Sequence, residues 1–521
     1  MNKKRILVIA IVGLLLINAL IFYVLLPTIS IHNVGLWFIV MINVMAGTFL
    51  YHLFKGTKNI KVTALINLIV ILGIVLGSLF SSEMFHATAY SNLLDIRISD
   101  SAELPTADKL NKIPLMDTES SKVLGNRKIG ALNEIVSQFE VSNDYMTISY
   151  KNEPVKVSAL KYAGLWKWNA NRKTGIPGYV MVRPNDLTAE YIELSEGMKY
   201  VPSAFFSEDL NRHIYFKYPT VFFDNVHFEI TEDGDPVYVV STYEYTIGLF
   251  GGKKITGCII IDPVTGDMQR YDLDNIPQWL DIVYNGNYIA KYFDIYGKLI
   301  NGFWNSLFGQ KGLIESTTTT TYNSEGEAVR ENDFGYIVEN DDVIVYTGVT
   351  AVTNDESNIG YLMANERTGE IVVSYFESTD EDSVMRAAEG EVQEKGYRAC
   401  FPSLVDINGT PAYVMVLKDK LGLVKMYAIV DASQYSHMVV GESLDKVLAQ
   451  FTNGNITSDT LQEKTITIKK VAIIGSGEPV VYIVDTDNNI YYAAFQPEML
   501  LLEEGMEVTI YTDGQIFRLS R

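Results

Sequence analysis

The sequence predicts an α+β protein: three N-terminal transmembrane helices, then tandem antiparallel hairpin-plus-helix units, then a small C-terminal all-β module. Three observations carry this expectation. Three charge-free apolar runs open the chain. After them a hairpin pattern recurs four times, in which a strand rich in Tyr and Val precedes a wholly apolar strand and a tight turn. Segments with apolar residues at three- and four-residue steps lie between the hairpins, and the last stretch holds only strand and turn signals.

The apolar runs are residues 6–26, 34–54 and 62–80. At 1.5 Å rise per residue each spans about 30 Å, the thickness of a hydrocarbon core. Lys3, Lys4 and Arg5 would suit a signal peptide, but the run behind them is too long and no small-residue cleavage site follows. Short loops rich in Lys and Arg stay in the cytoplasm. The N-terminus has three such residues, the second loop has Lys55, Lys58 and Lys61, and residues 27–33 have none. The N-terminus is therefore expected inside and Ser81 onward outside, giving a multi-pass cell-membrane protein, in contact with membrane lipid, with an extracellular C-terminal domain. The spans hold no Asp, Glu, Lys or Arg, and His52 near a cytoplasmic end reads as interfacial. Transport, which needs intramembrane ionisable groups, is not expected.

A chain of 521 residues exceeds one ordinary core. Residues 1–80 hold six of the 42 Lys and Arg and none of the 63 Asp and Glu, so the remainder carries 36 basic and 63 acidic residues, a net charge of −27. That field repels phosphate backbones, and no nucleic-acid partner is expected. Cys258 and Cys400 are too few for a disulfide scaffold, and spacing leaves open whether they pair.

Seven segments follow from the pattern: an anchor at 1–82, a linker or stalk at 83–115, α+β units at 116–205, 206–284, 285–382 (with an insertion) and 383–454, and a barrel-like β module at 455–521. The clearest hairpin joins Asp233-Gly-Asp-Pro-Val-Tyr-Val-Val to Gly257-Cys-Ile-Ile-Ile-Asp262 and Pro263-Val-Thr-Gly-Asp267. Asp-Gly and Thr-Gly supply the positive-φ residues that such turns require. The other copies join 154–157 to 178–182, 342–346 to 360–370, and 408–416 to 426–431. The apolar strands begin at 178, 257, 360 and 426, an irregular spacing that suits duplicated units and not a strict solenoid.

Helices are expected at 288–308, 383–395 and 443–451, covering one face of the sheets. The first is the most aromatic. It reads as a core helix in preference to an interfacial or sugar-binding one, because only Lys291, Asp294 and Lys298 decorate its other face. Residues 316–321, with five consecutive Thr, read as a loop or edge hairpin. In the last module, strands are expected at 465–474, 480–484, 490–494 and 508–511.

A helix followed by Gly-x-Pro-x-Tyr-x-Val, then an apolar strand ending in Asp-x-x-Thr-Gly-Glu/Asp, resembles the PepSY-type repeat of bacterial secreted and membrane proteins. Residues 234–240 with 261–267 carry it, and 409–416 and 367–370 carry it in part; the first copy lacks Thr-Gly. The whole layout resembles uncharacterised membrane proteins of Gram-positive bacteria. The resemblance implies units that bind or restrain protein partners outside the membrane, without catalytic residues.

Motifs for chemistry are sparse. Six His include no His-Glu-x-x-His, so no metal is expected. The run at 485–489 starts like a calcium loop but lacks the sixth-place Gly and twelfth-place Glu, and reads as a turn. Ser158 with Lys161, and Lys173-Thr-Gly175, match penicillin-binding motifs but lie too close together, without the element between. Gly251-Gly-Lys-Lys254 reads as a hairpin loop, and Glu244, Asp262 and Asp267 as solvated charges. No catalytic, cofactor-binding or metal residue is assigned, and no cofactor is expected. The function expected is binding or scaffolding through a protein partner at the cell surface; the alternatives are an enzyme acting on cell-wall glycans or a sensing subunit of a membrane complex.

Overall fold

The computed structural model describes residues 3–55, 60–99, 104–322, 328–352, 354–455, 462–474, 479–512 and 517–519. Helices α1 (Lys3–Leu25), α2 (Val34–Lys55), α3 (Ile60–Phe80) and α4 (Glu83–Ser91) open the chain. Within them, Arg5–Leu25 and Val34–His52 are each long and apolar enough to cross a membrane. Ala64–Phe80 and Glu83–Ser91 meet at a 47° bend and add a third crossing if the pair is one span. Asn18 and Asn43 exchange amide hydrogen bonds of 2.7 Å in both directions, a polar clasp that fixes α1 against α2 where apolar packing alone is non-directional.

Beyond the anchor, one plan repeats four times: a helix, then a four-stranded antiparallel meander. Unit one has Thr118–Gly130, then Met146–Tyr150, Glu153–Tyr162, Ile176–Arg183 and Thr188–Met198. Unit two has Leu210–Lys217, then Phe222–Ile230, Pro236–Ile247, Gly251–Ile261 and Met268–Asp272. Unit three has Gly286–Leu299, then Gly335–Glu339, Asp342–Ala351, Asn354–Asn365 and Ile371–Thr379. Unit four has Glu381–Glu391, then Ser403–Ile407, Thr410–Lys418, Val424–Asp431 and Met438–Gly441.

Turn chemistry explains the repetition. In units one, three and four the first two strands are joined by two residues with positive φ, Lys151-Asn152, Asn340-Asp341 and Asn408-Gly409, as a type I′ hairpin demands. At or just after the end of the third strand, units two, three and four place Asp262, Asn365 and Asp431, whose side-chain oxygens accept from the N–H groups two and three residues on. Those side chains close the turn that the third and fourth strands share. Unit three is longer because residues 300–334 intervene between helix and sheet, carrying Ile314–Ser316 and the two-stranded ribbon Thr318–Tyr322 with Ala328–Asn332.

Neighbouring units share their cores. One cluster joins units one and two (Tyr179, Val240, Ile259), another units two and three (Val239, Phe293, Val345), and a third units three and four (Tyr346, Tyr361, Tyr413). Unit four returns to unit one through the Lys418–Asp117 ion pair and through Val424, which packs against the first cluster. The C-terminal region is β-rich: the long strand Gln462–Ile474 pairs first with Glu507–Thr512 and then with Val480–Asp485, serving as the spine of a five-stranded sheet.

Two expectations need correction. Residues 83–115 are no loose stalk, for they contain α4, the strand Ile96–Ser99 and the helical turn Ala107–Lys112. Leu93, Leu94, Leu110 and Ile113 are buried there, too widely spaced to give a periodic signal. The helix expected at 288–308 stops at Leu299; Gly302, with φ +87°, breaks it, and a separate π-helical turn runs Asn305–Gly309.

The anchor and the units are docked. Ser81, at the end of α3, accepts through Oγ from Leu249 N–H (2.8 Å) and Phe250 N–H (3.0 Å), the tip of a unit-two hairpin. His32 lies 2.8 Å from the Leu249 carbonyl, Tyr215 donates to the Pro27 carbonyl, and Arg212 stacks over Tyr23. Residues 27–33 and the C-terminal ends of α1 and α3 thus meet the same face of the units. Ser81→Ala leaves two N–H groups without their acceptor and should weaken docking by about 1–3 kcal/mol. Protease nicking at the 248–252 tip, faster in the variant than in the parent, would read this out.

Cys258 and Cys400 are free and buried, in different cores. Burial pushes the Cys258 thiol up to about 12 and raises Cys400 further. Neither should react with a thiol reagent at pH 8 until the chain is denatured, when both should. Labelling of the native protein, counted by mass, would contradict this burial.

Candidate functional site

Where the inner strands of units one, two and three meet, buried charged side chains form a hub. On the strand Phe222–Ile230, His227 and Glu229 alternate with Phe228 and Ile230, yet all four are buried, because the strand is covered on both faces. Glu229 accepts from the Asp281 and Ile282 N–H groups (3.1 and 3.0 Å), on the segment leading into unit three, and lies 2.8 Å from His227 Nε2. Asp281 accepts from the Ser149 N–H of unit one at 3.0 Å. Ser149 Oγ in turn donates to Asp341, whose carboxylate also takes the Asn152 N–H, so two hairpin tips are tied together.

Burial pushes the Asp281 carboxyl well above its ordinary range, and the neighbouring Glu229 adds to the rise. Glu366, on the third turn of unit three, is raised for the same reason, burial first. Lys156 of unit one reaches in from the other side and donates to Thr147 Oγ1 at 2.8 Å; burial lowers its ammonium to about 8. Asp117, and to a smaller extent Glu366, act against this lowering. A bidentate Arg367–Asp342 pair, at 2.6 and 2.7 Å, closes the cluster at the edge.

This arrangement holds units together; it does not present chemistry to solvent. Glu229 and Asp281 are 0 % and 1 % exposed, so the carboxyl pair faces no cleft. Three clefts open nearby. One of about 370 Å³ lies between units one and two, lined by Ser142, Asp144, Lys161, Ser203, His227 and Tyr238. Another, of about 240 Å³, is lined by Asp224, Lys253, Asn285, Asn287, Tyr288 and Tyr292. The third, about 450 Å³, lies among the hairpin tips at Lys151, Asn152, Glu232, Asp233, Asn340 and Asp341. No Trp lines any of them.

The motifs singled out in the sequence do not converge. Ser158 is buried inside a strand, and Lys173 and Thr174 lie in the turn ahead of Ile176–Arg183. Gly251 to Lys254 belong to the hairpin that docks on the anchor. Asp262 and Asp485 accept N–H bonds within their own turns. Among the described residues no three His, Cys, Asp or Glu side chains are grouped to hold a metal ion. The hub residues escaped sequence reading because His-Phe-Glu-Ile looks like a strand with one polar, solvated face.

No protein-family model matches the chain, nor does any curated protein. Among solved structures the chain is similar to levansucrase of Bacillus subtilis, at 9% identity over 80% of this chain and 95% of that one, with a TM-score of 0.18. A levansucrase mutant of B. megaterium gives 10% identity, 82% and 97% coverage and a TM-score of 0.19. Likeness at these scores establishes neither a shared fold nor a shared activity.

Proposed function

We propose that the chain is a membrane-anchored extracytoplasmic binding or scaffolding protein whose α+β units take extended segments of protein partners at their outer sheet edges. One observation carries this reading. The outer strand of unit three, Ile371–Thr379, is already extended by the parallel strand Ile96–Ser99, a segment from far earlier in the chain. The outer strands of units one, two and four, Thr188–Met198, Met268–Asp272 and Met438–Gly441, pair on one side only among the described residues. Main-chain groups on such an edge recognise an added strand, and the side chains beside it set the choice. Glu190, Glu193 and Glu196 are exposed on the unit-one edge, which favours a partner segment carrying Lys or Arg and guards against self-association.

The extracytoplasmic placement is supported by the charge pattern of the anchor together with the docking of the uncharged loop 27–33 against the units. The buried Glu229–Asp281 pair does not flank an open cleft, whereas a glycosidase's two carboxyl groups must lie about 5–9.5 Å apart on either side of a substrate.

The test is photo-crosslinking in intact cells from Glu190, Glu193 or Gln269, with Asp487 as an off-edge control. Adducts of one defined partner from the edge positions, absent from the control, are expected. Adducts independent of position, or release of reducing sugar ends from cell-wall polymer by the purified protein, would overturn the reading.

A further inference from the structure

The segment that follows the unit-three helix is inside out. Trp304 and Phe308 are 58 % and 80 % exposed, and their rings stack 6.0 Å apart at 11°; Ile300 and Leu307 are exposed beside them. Ser306 is the buried residue of this turn and donates to the Phe303 carbonyl, while Asn305, half-buried, donates to the Lys311 carbonyl. A helical turn facing water would place these groups the other way round.

Its position says what covers it. Phe303 lines a recess of about 590 Å³ with Ser78, Ser81, Glu83, Met84 and Phe250, at the end of α3. Lys298, just ahead, pairs with Glu83 at 2.9 Å. Exposed Phe80, Met84 and Phe85 of the anchor continue the same apolar surface. Residues 295–314 also contain no Asp or Glu, in a chain with 63 of them, and Lys298 and Lys311 bracket the aromatic turn. Aromatic rings between basic residues, beside the end of a span, suit the boundary between headgroups and acyl chains.

We propose that Ile300, Trp304, Leu307 and Phe308 form a second, interfacial attachment that enters the leaflet in which α3 ends and seats the units flat against the bilayer. It rests on the anchor lying in a bilayer and holds whichever side the units occupy. The test uses the full chain in vesicles of phosphatidylcholine and phosphatidylglycerol. A nitrobenzoxadiazole probe is attached at Phe308→Cys, Trp304→Cys, Phe80→Cys or Asp186→Cys, with the parent chain correcting for the two buried cysteines. Quenching by shallow doxyl lipid at 304 and 308, matching that at 80 and several-fold above that at 186, is expected. A blue-shifted but unquenched probe at 308 would mean that protein, not lipid, covers the patch, and emission like that at 186 would mean that water does; either overturns the proposal. Loss of quenching at 80 as well would overturn the anchor and the attachment together.

Discussion

Replacing Glu229 by alanine should cost about 3–5 kcal/mol and leave units one to three without their common joint. The variant strips the acceptor from the Asp281 and Ile282 N–H groups and from His227, all buried. Each stranded donor carries a desolvation penalty of about 1–3 kcal/mol. Asp281→Asn should behave differently. Burial and the neighbouring Glu229 both disfavour the Asp281 carboxylate, so an amide of the same shape keeps the acceptor for the Ser149 N–H and removes a group that resists ionisation. Urea denaturation of both variants in detergent, followed by Trp fluorescence, should place E229A far below the parent and D281N at or above it. A small loss for E229A, or a large one for D281N, would contradict the hub.

Mild acid should stabilise the protein. Burial raises four carboxyl groups: Asp333 to about 6, Glu381 to about 7, and Asp281 and Glu366 well above their ordinary values. A raised carboxyl binds its proton more tightly folded than unfolded, so its stabilisation is complete below the unfolded value near 4 and is lost as pH rises through the folded value. For Asp333 alone, moving from its ordinary 3.8 to about 6 corresponds to about 3 kcal/mol lost by neutral pH. Asp117 opposes the trend only at lower pH. Burial would raise it, but Lys418 and Ser120 outweigh this and hold it below its ordinary range. Lys156, lowered to about 8 by burial, acts above that window. The urea midpoint should therefore climb as pH falls from 7.5 to 5, and Glu381→Gln should flatten the climb. A midpoint that falls steadily over this interval would show that the buried carboxyl groups are ionised and paired.

Much of the fold was legible because turns and apolar strands announce themselves locally. Asp233-Gly, Asn408-Gly and the Thr-Gly pairs fixed hairpins that the structure contains, and the irregular spacing was an insertion between the helix and sheet of unit three. What local pattern could not give was partnership between distant segments. Ile96–Ser99 is only four residues and finds its place through Ile371–Thr379, 275 positions on. His227 and Glu229 were not singled out, because nothing in their neighbourhood encodes the second covering layer that buries them. The aromatic segment at 288–308 was read as one core helix; its first half is buried as expected, while Gly302 turns the second half outward beside the anchor.

Protease treatment of intact cells expressing the chain with a C-terminal tag reads out which side of the membrane holds the units. Loss of the tag without lysis is expected, together with survival of an N-terminal fragment that includes α1 to α3. A tag protected until the cells are lysed would contradict it: the anchor would then be inverted against its own charges, and the partner would have to be sought in the cytoplasm.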